Sequence, residues 1–262
     1  MIIDMNAYLG HWPFRRLRQN DADGLLALMD RAGIDKACVS SASAIFYRNC
    51  HAGNEELAEE IAAREDRLIP FAVLNPAYVD WEHDLDVCVE EFGARGLRLY
   101  PHYHNYALTD ACCADLIEAT TERGLIVSLP IRQIDQRQRH WLLEIPDVPL
   151  SDLEALVERH PEAQFVFVNG LGFTRSRLGR ADGGLPGNYA LGISRMRATV
   201  GDEVGTLVEN LGADRVVLGT GMPFKYPEPA LLKVGVLDVS EETKQAILGG
   251  NAERLLPTAN SC

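Results

Sequence analysis

The sequence lacks any long hydrophobic run. No window reaches the ~18 consecutive apolar residues that indicate a membrane-spanning helix, although 47% of the 262 residues are hydrophobic. The first residues also lack the basic stretch and apolar segment of a secretory signal. We therefore expect a protein that neither spans a membrane nor carries a secretory leader, and we expect it in the cytoplasm.

Cysteine pairs with a metal-binding or redox spacing are absent as well. The six cysteines are Cys38, Cys50, Cys88, Cys112, Cys113 and Cys262. None form a CxxC pair, and two adjacent cysteines suit neither a structural disulfide nor a common zinc site. Most of the others lie in apolar patterns, so we predict reduced thiols packed in the core, as expected in the cytoplasm.

Positive charge is scarce, since the formal net charge is −13. Such an acidic surface disfavours nucleic acids and anionic membranes as partners. We expect the partner to be a small anionic molecule bound in a pocket, and we leave self-association into a homo-oligomer open. No low-complexity segment or charge block marks a linker, so we predict a single domain over residues 1–262.

The dominant pattern is a regular alternation of short apolar runs with helical periods. It repeats eight times, which favours a parallel sheet with crossover helices. The chain length is typical of one (β/α)8 barrel, and we predict a single TIM barrel of the α/β class. The predicted strands are residues 2–5, 36–40, 68–74, 96–100, 125–131, 165–168, 189–194 and 215–218.

Helix ends are predicted from capping residues. Asn54 is expected to cap a helix that runs to about Arg64. Ser151 and Glu154 have the spacing of a capping box, which places a helix start there. Residues 240–256 are expected to be helical.

Four segments resemble the amidohydrolase-2 family of metal-dependent hydrolases. They are Ile-Asp-Met-Asn-Ala-Tyr-Leu-Gly at 3–10, Gly-Leu-Arg-Leu-Tyr-Pro at 96–101, Gly-Thr-Gly-Met-Pro at 219–223, and the ending at 247–256 with Asn-Ala. They occur in the family's order and span essentially the whole chain. The resemblance implies an amidohydrolase-like barrel and an enzyme that hydrolyses amides or lactones or decarboxylates small acids.

The resemblance also implies positions for metal ligands, and here these positions carry other residues. The family has two His residues, one residue apart, at the end of strand one, where this chain has Asn6 and Tyr8. The run at 129–132 contains no His, Asn169 replaces the His after strand six, and Gly221 replaces the Asp after strand eight. Zinc prefers imidazole, thiolate or carboxylate ligands. We therefore expect no cofactor, and a divalent metal such as zinc only if the ligands have moved to His102 and His104.

Residues just past the strand ends build the active face of such barrels. His102 and His104 follow strand four, and together with Tyr8 we predict them to be catalytic. The alternative is a pair of loop histidines bonded to backbone or water. Arg132, the first residue after strand five, is predicted to bind a carboxylate, with a solvent-exposed pair to Asp135 as the alternative.

Further substrate-binding candidates come from the same strand ends. Asn6, Asn169 and Thr220 are expected at the mouth. Arg98 lies within strand four, where an arginine is either part of a core ion pair or a group that holds substrate.

Three functions remain open at this point. The first is a hydrolase that acts on a small carboxylate-bearing amide or lactone without the usual divalent metal. The second is a non-catalytic barrel that binds a small anion or serves as an assembly subunit. The third is a hydrolase or decarboxylase whose metal has moved to His102 and His104.

Overall fold

A computed structural model describes residues 1–198 and 201–257. Its centre is an eight-stranded sheet in which the strands follow one another in chain order, and every neighbouring pair is parallel. The predicted barrel is thereby confirmed. The strands are β1 (Ile3–Leu9), β2 (Lys36–Ser41), β3 (Leu68–Ala72), β4 (Gly96–Arg98), β5 (Ile126–Pro130), β6 (Gln164–Val168), β7 (Tyr189–Gly192) and β8 (Val216–Val217).

Helices follow the strands and cover the outside of the sheet. They are α1 (Ala22–Ala32), α2 (Cys50–Ile61), α3 (Trp81–Glu90), α4 (Pro101–His104), α5 (Ala111–Glu122), α6 (Leu150–Arg159), α7 (Glu203–Leu211), α8 (Glu228–Gly235), α9 (Glu241–Gln245) and α10 (Asn251–Leu255). A π-helix, Ala246–Gly250, joins α9 to α10. Among the described residues, no helix has the length and apolarity to cross a lipid bilayer.

Backbone hydrogen bonds close the barrel between its first and last strands. The amide of Met5 donates to the carbonyl of Leu218 at 3.0 Å, and the amide of Tyr8 donates to the carbonyl of Met222 at 2.8 Å. The amide of Gly221 donates to the carbonyl of Asn6 at 2.8 Å. The turn after β8 is therefore fixed directly against the end of β1.

Two predicted helix starts are wrong. Helix α2 begins at Cys50 and is capped by Asn49, whose side chain accepts from the amide of His51. Asn54 lies inside that helix, where its side chain donates to the carbonyl and accepts from the amide of Val73, both at 2.9 Å. This residue satisfies the end of a neighbouring strand, which the local sequence does not reveal.

The predicted capping box does not form either. Helix α6 begins at Leu150 after Pro149, so Ser151 is already helical. Glu154 instead accepts from the amide of Arg177, in the loop after β6. The C-terminal helix is confirmed, with Ser240 as its cap, and it is interrupted by the π-helix.

The cysteines are free thiols in the part of the chain that the structure describes. Four are buried, and Cys112 is partly exposed. Burial raises the pKa of the Cys50 and Cys88 thiols to about 12, so both remain protonated at neutral pH. Cys262 lies outside the described residues.

Candidate active site at the carboxyl ends of the strands

An irregularity in β1 directs its polar residues into the barrel mouth. The register between β1 and β2 shifts between Asp4 and Ala7. Before the shift, Ile3 and Met5 pack with residues inside the barrel. After it, Ala7 and Leu9 pack with the residues of α1. A bulge changes which alternate residues face each side of a sheet, so Asn6 and Tyr8 both face inward.

Asn6, Tyr8 and Asn169 form a hydrogen-bonded cluster at the mouth. The amide nitrogen of Asn6 donates to Oδ1 of Asn169 at 3.0 Å. The Tyr8 hydroxyl donates to Oδ1 of Asn6 at 2.7 Å, and Nδ2 of Asn169 donates to the Tyr8 oxygen at 3.3 Å. All three side chains are buried. Burial raises the pKa of the Tyr8 phenol, so Tyr8 acts as a neutral donor.

The turn after β8 brings Gly221 and Thr220 against this cluster. A Cβ on Gly221 would lie 3.6 Å from Oδ1 of Asn169 and 3.6 Å from Nδ2 of Asn6. The φ of Gly221 is +83°, a left-handed conformation that strains residues with a side chain. The hydroxyl of Thr220 donates to the buried carboxylate of Asp4, which also accepts from the amide of Thr220 at 2.9 Å. Asn6, Asn169 and Thr220, which were expected at the mouth, thus lie at one end of the barrel together with Tyr8 and Gly221.

Lys225 lies over the cluster. Its amine donates to Oδ1 of Asn169 at 3.3 Å, and the Ser194 hydroxyl donates to the same oxygen at 2.8 Å. Burial, together with the charges of Arg195 and Lys233, lowers the pKa of the Lys225 amine to about 7. The neutral amine is therefore accessible near neutral pH, where an ordinary lysine is protonated.

An open cavity of about 550 Å³ lies above these residues. Lys225, Ser194 and Thr220 line its floor, and Phe224 and Tyr226 line its wall. The loop between β1 and α1 contributes Arg15, Arg16 and Arg18, and Asp135 is the one carboxylate among the described residues that line the cavity. The pocket therefore concentrates positive charge in a protein that is acidic as a whole.

Arg98 lies beneath the mouth rather than in it. Its side chain is fully buried, and it donates to the carbonyls of Ala7 and Met5, each at 3.1 Å, and to the Ser40 hydroxyl at 3.0 Å. Arg98 was predicted either to belong to a core ion pair or to hold substrate. Its bonds hold the inner side of β1, and it is not among the described residues that line the cavity.

His102 and His104 do not converge on a common point. Nδ1 of His102 lies 3.0 Å from the carbonyl of Pro146. Nε2 of His104 lies 3.8 Å from Sγ of Cys50. Burial lowers the pKa of His104 to about 4, so this ring is neutral. The two histidines therefore do not form the shared metal or catalytic site proposed for them.

Arg132 has a different acidic partner from the one considered for it. Its Nε donates to Oδ1 of Asp147 at 2.6 Å, and a second bond joins Nη2 to Oδ2. Asp135 instead pairs with Arg137 at 3.0 Å and with Arg195 at 3.4 Å. The bidentate pair with Asp147 occupies the Nε and Nη2 donors and balances the charge of the guanidinium, which weakens its attraction for a carboxylate ligand.

Sequence reasoning missed Lys225, Ser194 and the three arginines of the first loop. Lys225 follows Gly221 by one turn of chain, close enough to β8 to be placed at the mouth. Arg15, Arg16 and Arg18 lie in a segment with neither a strand nor a helix period. Their clustering in an acidic chain was the available signal for an anion-binding loop.

Comparison with known proteins shows the family. The amidohydrolase-2 family model, described as Amidohydrolase, matches residues 7–258. The chain belongs to this family. The family resemblance noted in the sequence is therefore confirmed.

Individual proteins similar to this chain are named as decarboxylases. A 2-amino-3-carboxymuconate-6-semialdehyde decarboxylase of Dictyostelium discoideum is 24% identical over 233 residues, or 78% of this chain and 65% of that protein. A dihydroxybenzoic acid decarboxylase of a Polaromonas species superimposes with a TM-score of 0.76 at 19% identity, covering 97% of this chain and 96% of that one. The prediction of hydrolysis is not confirmed by these relatives.

The expectation that no cofactor is needed is wrong. The Polaromonas decarboxylase structure contains bound manganese. So does a 5-carboxyvanillate decarboxylase of Novosphingobium aromaticivorans, which superimposes with a TM-score of 0.67 at 18% identity over 88% of this chain and 79% of that one. Two proteins with this fold thus contain bound manganese.

The donor groups at this mouth do not fit manganese in the arrangement described. Across residues 1–198 and 201–257, no three His, Cys, Asp or Glu side chains are grouped to hold a metal. Oδ1 of Asn169 already accepts from Asn6, Ser194 and Lys225, and the Asn6 oxygen accepts from Tyr8. When it is protonated, the Lys225 amine beside these oxygens also repels a cation. A metal bound there would require these side chains to rearrange.

Proposed function

We propose that this amidohydrolase releases CO2 from a small carboxylic acid bound in the cavity above Lys225. One observation carries the proposal. The described lining of the cavity contains Arg15, Arg16, Arg18 and Lys225 against a single carboxylate. Such a pocket favours an anionic ligand, because guanidinium groups bind carboxylates with paired, charge-assisted hydrogen bonds.

The relatives support the same class of reaction. They are named as decarboxylases of a carboxymuconate semialdehyde, a dihydroxybenzoic acid and carboxyvanillate. All three names describe acids that carry oxygen substituents or an aldehyde. A small oxygenated acid is therefore the substrate class we propose for this chain.

The residues of the mouth have separate roles in this proposal. Arg15 is half-buried and directed by its bonds to Gln138 at 2.6 Å and to the carbonyl of Phe224 at 3.2 Å, so it holds an anionic group of the substrate beside Lys225. Asn169 fixes the Lys225 amine. When CO2 leaves, the electron pair of the broken bond must be accepted and a proton added to carbon. Lys225 is the titratable group best placed for that part of the reaction.

The test is CO2 release from a panel of acids. Purified protein is incubated with dihydroxybenzoates, 5-carboxyvanillate and small oxo acids, with added Mn²⁺ in one series and with a chelator in the other. We expect release from at least one acid, reduced about tenfold or more in Arg15→Met because substrate positioning is lost. Binding of acids without CO2 release in either series would refute decarboxylation and favour a non-catalytic anion-binding barrel.

A further inference from the structure

Lys225 differs from the other lysines in the bonds that its amine makes. The amine of Lys233 donates to two backbone carbonyls, at 3.2 and 2.9 Å. The amine of Lys244 pairs with Glu241 at 3.0 Å. Lys225 instead lines the cavity of about 550 Å³, and its amine donates to the amide oxygen of Asn169.

The charges around Lys225 favour its neutral form. Arg195, Lys233 and Arg132 all act against the ammonium, and Asp135 is the acid that opposes them. Asp135 is itself engaged by two guanidiniums, those of Arg137 and Arg195. A partly desolvated lysine next to other cations is a nucleophile at neutral pH, because its lone pair is free.

We propose that Lys225 forms an imine with the carbonyl carbon of a β-oxo acid, and that this imine accepts the electrons released when CO2 leaves. The proposal rests on the proposed function and specifies its substrate class. The Lys225 amine lines an open pocket and makes one hydrogen bond among the described residues, to Asn169. A substrate can therefore reach the amine, and the lone pair of its neutral form is free to attack the carbonyl carbon. The Lys233 amine is less free to react, since it is bound by two carbonyls.

The steps balance without an oxidant or reductant. The amine nitrogen bonds to the carbonyl carbon, and the carbonyl oxygen leaves as water, which gives an iminium ion. The bond between the carboxylate carbon and the α-carbon then breaks, CO2 leaves, and its electron pair moves onto the iminium nitrogen to give an enamine. The α-carbon takes a proton from water. Hydrolysis of the resulting iminium releases a ketone and restores the amine.

The arginines of the first loop narrow the substrate further. A guanidinium paired with the carboxylate that leaves would stabilise it before the transition state and slow the reaction. The arginines therefore hold a second acid group, which places the substrate among β-oxo acids with two carboxylates. Arg15 is positioned for this because it is bonded to the carbonyl of Phe224, the residue before Lys225.

Reductive trapping tests the imine directly. The full chain is incubated with oxaloacetate or acetoacetate and a chelator, reduced with borohydride, and mapped by peptide mass spectrometry. We expect a reduced adduct on Lys225 at pH 7.5, at least about tenfold above any other lysine. Burial also lowers the pKa of the Lys233 amine, to about 8, but that amine is held by two backbone carbonyls and Lys233 is not among the described residues that line the cavity. Oxaloacetate, with two carboxylates, should label more than acetoacetate.

Variants separate this proposal from the proposed function. Lys225→Arg should lose the adduct, and Lys233→Arg should keep it. No adduct on the wild-type protein, or labelling spread evenly over Lys36, Lys225 and Lys244, would overturn the imine even if Lys225→Arg fails to fold. CO2 release without an adduct overturns the imine and leaves the proposed function standing. An adduct without CO2 release supports the imine and overturns decarboxylation.

Discussion

The guanidinium of Arg98 lies 4.8 Å from the centre of the Tyr8 ring, close enough for a cation–π contact. The same guanidinium bonds the carbonyls of Met5 and Ala7, on both sides of Asn6. A buried cation thus fixes the irregular part of β1 from inside the barrel. The position of the amide cluster above it depends on this support.

Replacing Arg98 should therefore destabilise the whole fold. Arg98→Met leaves two buried carbonyls and the Ser40 hydroxyl without a donor, and we expect a loss of about 3 kcal/mol or more in the free energy of unfolding. Urea denaturation measures it. Arg31→Met is the control, since its pair with Glu228 is half-exposed and worth about 0.5 kcal/mol. Similar losses in both variants would contradict the role given to Arg98.

Lys225→Met should stabilise the protein, and more at low pH than at high pH. The pKa of Lys225 is about 7 in the folded state and about 10.4 when unfolded. Between these values the unfolded chain binds more protons, so wild-type stability rises with pH. Below pH 7 the buried ammonium destabilises the folded state to its full extent, and the substitution by Met removes this destabilisation. We expect a gain of roughly 2 kcal/mol at pH 6, allowing for solvent relaxation.

Calorimetric melting at pH 6 and pH 10 tests this expectation. The gain in Tm should be about 5 °C at pH 6 and should fall to a small fraction of that at pH 10, where the folded amine is neutral and the unfolded amine has begun to lose its proton. Lys244→Met serves as the comparison, since its amine is paired at the surface. A gain that does not depend on pH would mean that packing, rather than the charge of Lys225, is responsible.

Asn169→Asp should raise the pKa of Lys225. A carboxylate would then lie where the amide oxygen now lies, 3.3 Å from the amine. An adjacent opposite charge favours the ammonium, by about one unit or more. The Lys225 amine can be labelled with a ¹³C-methyl group, and the NMR chemical shift of this group followed against pH gives the pKa in each variant. The Asn169→Asp substitution should also move the acidic limb of the profile of reaction rate against pH to higher pH.

Ser194→Ala is the matched control for that experiment. It removes one donor to the same oxygen of Asn169 without adding charge. The Lys225 titration should change little. If Ser194→Ala and Asn169→Asp shift it equally, disruption of the cluster rather than charge controls the amine.

Arg15 and Arg132 should differ in their effect on carboxylate binding. Arg15 lines the cavity and bonds to a neutral amide and a carbonyl, whereas Arg132 is paired with Asp147. We expect Arg15→Met to weaken binding of small acids about tenfold or more, and Arg132→Met to weaken it several-fold at most. Calorimetric titration of each variant with small acids, and with their neutral amides as controls, measures these changes in affinity. If Arg132→Met weakened the binding of small acids more than Arg15→Met, Arg132 would be a carboxylate-binding residue, contrary to this expectation.

The sequence was sufficient to predict the barrel because the patterns that indicate its strands and helices are local. Each apolar run and each helical stripe can be read within a dozen residues, and eight alternations in a chain of this length leave few other folds. The positions of Asn6, Asn169 and Thr220 followed, since residues past parallel strand ends share one edge.

The hydrogen-bond partners of long polar side chains could not be predicted from the local sequence pattern. Arg98 is bonded to residues in β1 that lie more than ninety positions earlier in the chain, and its burial depends on the bulge there. Lys225 reaches the mouth because the turn at Gly221 has a left-handed backbone. Asn54 completes a strand end far from its own helix. Such contacts are set by tertiary structure, not by local pattern.

The hydrogen bonds between the first strand and the turn after β8 also set an order of assembly. Asn6 is synthesised more than two hundred residues before Thr220, Gly221 and Lys225. Until those late residues emerge, the amide of Tyr8 and the carbonyl of Asn6 lack their partners in the turn. The nascent chain must therefore carry an open edge at β1 until this turn has been synthesised, and the binding pocket is completed only when β1 and the turn meet.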